Sequence, residues 1–586
     1  MTSAQQHYPE PQSLLPGLVS GNADRALHAA MGKVTGGLSP ASLASAWLDW
    51  ATHLAMSPSK QSEIVEMGGR QWTRFAHLLS HLPGEKCEPC IEPLPQDPRF
   101  RDPEWQKWPY NAIYQSFLLG QQWMSIAMRG VRGVTRHHEQ VMDYTTRQWM
   151  DLFSPSNFPL TNPEVLKAFV ESGGQNLLDG FANWKEDVER TLQGLPPQGA
   201  EAFVPGETVA ITPGKVVYRN HLIEVMQYAP KTAKVHAEPV LMIPAWIMKY
   251  YILDLSPANS LVKYLVDHGH TVFMVSWKNP GPQDRDLNMD DYLRHGFMAA
   301  LDAVAKAVPK RKVHTVGYCL GGTLLAIAAA ALARDGDERL ASMTMIAAQT
   351  DFTEPGELAL YIDDSQLTFL EDQMWEKGYL DSTQMAGAFQ LLRSVDLVWS
   401  SIVKHYLKGE PSKLNDLMAW NADGTRMPYR MHTEYLRSLF LNNDLAKGRF
   451  RVWGRPVALP DIDIPIFCVG TTTDHVAPWR SVYKLHLLTH AEITFALTTG
   501  GHNVGVVNPP TAESKRSYRL RTRPHGGDYL DPEDYLGQAA QHAGSWWPAW
   551  EKWLAARSSG QVKPPHLGLP GTRPLGDAPG SYVFMR

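Results

Sequence analysis

The chain has 586 residues, with 55 Lys and Arg against 60 Asp and Glu and a formal net charge of -5. That length requires more than one packed unit, each with an ample apolar core, and the charge offers no basic field for a phosphate backbone, which excludes nucleic acid as the main partner. The four cysteines are too few and too oddly placed for a disulfide framework, so a reducing, cytoplasmic setting is expected.

Residues 1–95 contain no basic patch followed by an apolar run, and no part of the chain reaches about 18 uncharged apolar residues, so neither a signal peptide nor a spanning helix is expected. This first segment is rich in Pro, Ser and Ala with only short amphipathic pieces, such as residues 40–48. Its composition reads as loosely ordered. Within it, Cys87 and Cys90 form a lone CxxC without a second ligand pair, which predicts an exposed loop and no bound metal. Over residues 96–204 apolar side chains recur at helical spacing, as in Tyr114, Phe117, Leu118 and Trp123, with breaks at Ser154-Pro155 and Leu195-Pro196-Pro197. That pattern predicts an all-helical N-terminal domain.

From residue 205 to 586 short β-branched runs alternate with helical segments, the pattern of a parallel sheet with crossover helices. Strands are expected at 240–243, 271–275, 313–316, 343–346, 466–469 and 493–497, several of them apolar throughout, as strands buried on both faces should be. Residues 351–450 are too long for an ordinary crossover and read as an inserted, mostly helical cap. Near the end, Trp546, Trp547, Trp550 and Trp553 fall mostly on one helix face, which packs that helix onto the domain.

The candidate nucleophile is Cys319, in Gly317-Tyr318-Cys319-Leu320-Gly321-Gly322, between a predicted strand and an Ala-rich helix. This is the context of a nucleophile elbow with Cys in place of Ser, and it defines an α/β-hydrolase fold. The sharp turn needs residues without Cβ around it, the helix N-terminus favours a thiolate, and the backbone N–H of Leu320 points toward a developing oxyanion. In this fold the acid and the histidine follow the nucleophile in the chain, each on a loop after a strand. Asp474 and His502 occupy those places. His475 is the rival histidine and is assigned a supporting position beside Asp474; Asp351 is the alternative acid, better explained as a cap of the first helix of the insertion.

With these residues located, the chain resembles a class I polyhydroxyalkanoate synthase. The resemblance rests on the GYCLGG elbow together with TNPE (161–164), TPGKVVYRNHLIEVMQY (212–228), PAWIMKYYILDLSPANSLV (244–262), VSWKNP (275–280), GTTTDHVAPWRSVYK (470–484) and TTGGHNVG (498–505). It implies that Cys319, Asp474 and His502 form the catalytic triad, that the turn 244–247 supplies a second oxyanion donor, assigned to Ile247, and that the cap covers the site and takes part in dimerisation. It further implies (R)-3-hydroxyacyl-CoA as substrate, short-chain hydroxybutyryl above all, and a homodimer at the surface of polyester granules in the cytoplasm. No metal or dissociable cofactor is implied, since the CoA thioester is the substrate, and Asp254 stays outside the triad.

The chemistry suits a cysteine. Moving an acyl group from CoA to a thiol exchanges one thioester for another, which keeps the enzyme-bound chain activated for the next hydroxyl. A cysteine hydrolase, such as a thioesterase or polyester depolymerase, shares the triad and remains the alternative at this stage, as does an idle granule-binding subunit. The residues that hold CoA are not legible.

Overall fold

A computed structural model describes residues 22–81, 88–94, 97–382, 384, 385, 387 and 398–586. Its centre is an 11-stranded sheet. In chain order the strands are β1 (Gly214–Arg219), β2 (Ile223–Tyr228), β3 (Val240–Ile243), β4 (Val272–Trp277), β5 (Val313–Tyr318), β6 (Leu340–Ile346), β7 (Ile466–Thr471), β8 (Ile493–Thr498), β9 (Ser517–Arg523), β10 (Ala540–Ala543) and β11 (Gly576–Asp577). Their order across the sheet is β10-β9-β8-β7-β6-β5-β3-β4-β2-β1-β11. Strands β3 to β8 pair in parallel, and the strands flanking them run antiparallel. The six parallel strands are those expected from sequence. They are almost wholly apolar and buried because helices cover both faces: Leu241, Phe273 and Met343 enter the core on one side, and Met242, Met274 and Phe467 the other.

Helices α1 (Asn22–Thr35), α2 (Pro40–Ala55), α3 (Pro58–Ser80), α4 (Tyr110–Met128), α5 (Arg136–Leu152), α6 (Pro163–Ser172) and α7 (Gln175–Leu192) precede the sheet. The expectation of loose order is therefore corrected for residues 22–80, which are helical; residues 1–21 lie outside the described residues. The Ser and Pro that suggested disorder serve as helix starts: Ser39 Oγ accepts the Ser42 N–H ahead of Pro40 in the first turn of α2. Long-range bonds then hold these helices, such as Trp50 Nε1–H to the Ala127 carbonyl at 3.2 Å. The exposed CxxC loop is also corrected in part: Cys90 is buried and its thiol donates to the Arg74 carbonyl, while Cys87 lies outside the described residues.

After the sheet begins come α8 (Leu261–Asp267), α9 (Ala299–Ala307) and α10 (Leu320–Arg334). Between β6 and β7 the insertion carries α11 (Asp364–Lys377), α12 (Asp416–Ala422) and a helical run over 429–441. The N-terminal helices grip this insertion. Gln366 of α11 accepts the Ser39 N–H and donates to the Gly37 carbonyl, both at 2.7 Å, and Asn183 of α7 donates to the His405 carbonyl at 3.0 Å. A final helix, α13 (Trp547–Ala555), fills one face of the sheet. The indole N–H groups of Trp546, Trp547 and Trp550 donate to Gly505, Val506 and Thr344, which gives each of these three buried rings a polar partner.

Candidate active site

Cys319 sits between β5 and α10 with φ 52° and ψ -124°, a strained angle for a residue with a side chain. The glycines around it are required by space. A Cβ on Gly321 would collide with the Ile243 carbonyl oxygen of β3, and one on Gly317 with the Gly322 Cα. The turn is tight enough to lift the thiol off the C-terminal edge of the sheet at the start of α10, whose first N–H groups, beginning with Leu320, have no partner within the helix.

Asp474 and His502 follow β7 and β8, the two parallel neighbours on that side, so their loops leave the sheet at the same edge. His502 Nδ1–H donates to Asp474 Oδ2 at 2.8 Å. Cys319 acts electrostatically on the same ring, so with Nδ1 engaged by the carboxylate, Nε2 is the nitrogen left for the sulfur. The Asp474 carboxylate is fully engaged. Its Oδ1 accepts the N–H groups of Val476 and Ala477 at 2.9 and 2.8 Å, and its Oδ2 accepts the Thr471 hydroxyl at 3.1 Å. Burial pushes Asp474 up, but the His502 charge and these donors outweigh it and hold the carboxyl below its ordinary value. Burial likewise opposes a charge on His502, yet Asp474 and Cys319 raise the ring well above the usual histidine range. The carboxylate and the sulfur thus both stabilise the positive charge that the imidazole acquires when it takes a proton.

The other residues named from sequence separate cleanly. Ile247 and Leu320 line one cavity with Cys319. His475 lies next to Asp474 in sequence, but the ring bonded to the carboxylate is that of His502. Asp351 accepts from Thr353 and Asn443, so it caps a local turn instead of a helix and does not serve as the acid. Asp254 is buried where Thr212 and Ser260 donate to it, and burial pushes its carboxyl up to about 6. Sequence reasoning missed the bond from the Tyr318 hydroxyl to Asn503 Oδ1 at 2.6 Å. Asn503 Nδ2–H in turn donates to Asn421 of the insertion at 3.1 Å. The adjacency of Tyr318 to Cys319 and of Asn503 to His502 was the only available signal.

The insertion closes the site. Tyr435, Phe440, Phe352 and Leu358 join Ile247 and Cys319 around a cavity of about 40 Å³, room for only a few water molecules. Among the described residues one cluster brings metal-ligating atoms together, His236, His270 and Glu551, within 4.8 Å of one another. Its two imidazoles stack at 4.4 Å and 23°, so their lone pairs lie in nearly parallel planes and do not converge on one ion.

An elbow nucleophile served by an acid and a histidine from later strand ends defines an α/β-hydrolase, and a sequence profile described as the alpha/beta hydrolase fold matches residues 238–509. The solved structure of a Paleococcus ferrophilus monoacylglycerol lipase aligns at 13% identity with a TM-score of 0.32, covering 57% of this chain and 99% of that one. Profiles described as poly-beta-hydroxybutyrate polymerase N-terminal regions match residues 96–265 and 20–60. The chain is 39% identical over 515 residues to a poly(3-hydroxyalkanoate) polymerase of Methylorubrum extorquens, covering 87% of this chain and 84% of the relative. It is 35% identical over 546 residues to the polymerase subunit of Cupriavidus necator, with 92% and 90% covered. The protein belongs to the poly(3-hydroxyalkanoate) polymerase family.

Proposed function

We propose that this protein polymerises (R)-3-hydroxyacyl-CoA, with short-chain hydroxybutyryl-CoA as the main substrate, and releases CoA. The observation that carries the reading is the His502–Asp474 hydrogen bond with Cys319 acting on the same ring, at the elbow of a chain from this family. His502 Nε2 takes the thiol proton, and the Cys319 sulfur attacks the acyl carbonyl. The oxyanion is met by the N–H groups of Leu320 and Ile247. The carbonyl re-forms as the CoA sulfur leaves with the proton from His502, and the acyl group remains on Cys319 as a thioester. A 3-hydroxyl then attacks an acyl thioester, its proton passing to His502; the C–S bond breaks, the departing sulfur takes that proton as a thiol, and the chain grows by one unit.

The cavity of about 40 Å³ is too small for an acyl-CoA, so residues around Phe352, Leu358, Tyr435 and Phe440 shift to admit it. Closed, the same residues keep water from the thioester, which favours transfer over hydrolysis. Exposed Trp47, Trp72, Trp149, Phe153, Phe181 and Trp184 concentrate apolar surface on the N-terminal helices, which suits contact with a polyester granule in the cytoplasm. No helix among the described residues is long and apolar enough to cross a membrane. Homodimerisation through residues 351–450 belongs to the same reading, and light scattering with and without substrate tests it.

The deciding experiment incubates purified protein with (R)-3-hydroxybutyryl-CoA, follows free thiol and weighs insoluble polyester. CoA release with polymer, lost in Cys319→Ala, is expected. Release of CoA with only free hydroxy acid would reassign the protein as a thioesterase, and an active Cys319→Ala would remove the nucleophile.

A further inference from the structure

The turn that carries Ile247 is held at three carbonyls. The indole N–H of Trp277, at the end of β4, donates to the Pro244 carbonyl at 2.9 Å. The next two holds come from Thr425 in the insertion, which is 1% exposed. Its hydroxyl donates to the Trp246 carbonyl at 2.9 Å, and its N–H donates to the Ile247 carbonyl at 3.3 Å. Beside it, Gly424 bridges to Met248 in antiparallel fashion.

The first of the two Thr425 bonds has a specific consequence. The Trp246 carbonyl and the Ile247 N–H belong to one peptide unit, which is planar and trans, so the two groups point in opposite directions. A donor fixed on the carbonyl oxygen therefore fixes the direction of the N–H on the other side. It also polarises that N–H and makes it a better donor. The hydroxyl is the relevant feature: a methyl in its place fills the same space but holds nothing.

We propose that Thr425 is a positioning residue for the Ile247 oxyanion donor, and that the oxyanion hole is complete only while the insertion is seated. Trp277 belongs to the sheet and holds the start of the turn in any state. Thr425 rides on the insertion, so its two bonds to the turn break and re-form whenever the insertion moves to admit substrate. Closure thereby assembles the chemistry as well as excluding water. The inference rests on the reading of Cys319 as nucleophile and Ile247 as oxyanion donor.

The test compares Thr425→Val, Thr425→Ala and Thr425→Ser with the parent in the full chain. CoA release from (R)-3-hydroxybutyryl-CoA gives kcat and KM, and iodoacetamide alkylation of Cys319 reports on the thiol alone, since that displacement forms no oxyanion. Thr425→Val is expected to lose roughly tenfold to a hundredfold in kcat with KM and alkylation rate changed by less than about threefold. Thr425→Ser, which keeps the hydroxyl, is expected to stay within about threefold of the parent in every reading. If Thr425→Val fails to fold, Thr425→Ala carries the same expectation. A hydroxyl-free variant with parental kcat, a parallel loss of alkylation and turnover, or a Ser variant as impaired as Val would each overturn the proposal. A parental kcat in Thr425→Val with inactive Cys319→Ala would sink this inference alone, whereas an active Cys319→Ala would sink the reading beneath it.

Discussion

Replacing Asp474 by Asn tests the site most sharply, because the carboxylate has no spare acceptor position. Oδ1 takes two backbone N–H groups and Oδ2 takes Thr471 and His502. An amide has two orientations. With its nitrogen toward Val476 and Ala477, two buried N–H donors lose their acceptor and face another donor, at about 1–3 kcal/mol each. With its nitrogen toward His502 and Thr471, the threonine hydroxyl turns round to accept, and little is lost there. The second orientation therefore wins, but it forces Nδ1 of His502 to accept, which moves the imidazole proton to Nε2. That nitrogen faces Cys319 and no longer takes the thiol proton. The expected result is a folded protein whose CoA release falls by the full contribution of a general base, about 10²- to 10⁴-fold. Rapid-quench mass spectrometry should find the acyl-enzyme forming as slowly as CoA appears. An Asp474→Asn variant within tenfold of the parent would refute both the tautomer reasoning and the role of the carboxylate.

Tyr318→Phe cuts the bond to Asn503 that braces the His502 loop, and turnover should fall up to about tenfold at unchanged melting temperature; parental turnover would remove Tyr318 from the site. Gln366→Leu leaves the Ser39 N–H and the Gly37 carbonyl unpaired, so limited proteolysis should cut ahead of α2 faster than in the parent. Trp550→Phe strands the Thr344 hydroxyl, with an expected loss of about 1–3 kcal/mol in denaturant unfolding. Acid should destabilise the fold through three histidines that burial keeps neutral, with His432 and His314 lowered to about 4 and His486 to about 3. Their folded values lie below the unfolded one near 6.5, so this stability is complete above pH 6.5 and is lost as pH falls toward 4. By pH 5 each contributes a loss of about 2 kcal/mol, from 1.5 units at about 1.36 kcal/mol per unit. His432→Phe should narrow the difference in melting temperature between pH 7 and 5, and an unchanged difference would contradict the account.

The parts of this molecule legible in its sequence are those whose cause is local. Strands β3 to β8 announce themselves because burial on both faces makes them mostly apolar and β-branched, and Cys319 is revealed by the glycines that its turn requires. The outer strands carry no such mark. In β9 the run Ser517–Arg523 alternates basic and other residues and is only half-buried, and the edge strand β10 is exposed throughout, so neither has the apolar run of a strand buried on both faces. Composition misled over residues 22–80 because Ser and Pro were weighed as disorder formers, whereas at Ser39 and Pro40 they start a helix. Thr425 was invisible for a different reason. Its partner Trp246 lies 179 residues away, and nothing in the sequence near Met427 and Pro428 signals that a carbonyl of the turn after β3 is waiting there.

That separation divides the site into a fixed part and a movable one. Cys319, Asp474 and His502 follow β5, β7 and β8 of the same parallel set, so their mutual distances follow from the sheet and survive any motion of the insertion. The cavity walls Tyr435 and Phe440 and the hold on Trp246 come from the insertion and share its position. In such a design the sheet keeps Cys319, His502 and Asp474 together, and the insertion controls both access and whether an oxyanion is stabilised. Reagents that attack the sulfur directly should then sense access alone, while acyl transfer should sense access and the seating of Thr425 together, and the ratio of the two rates across variants of the insertion measures how tightly closure and chemistry are linked.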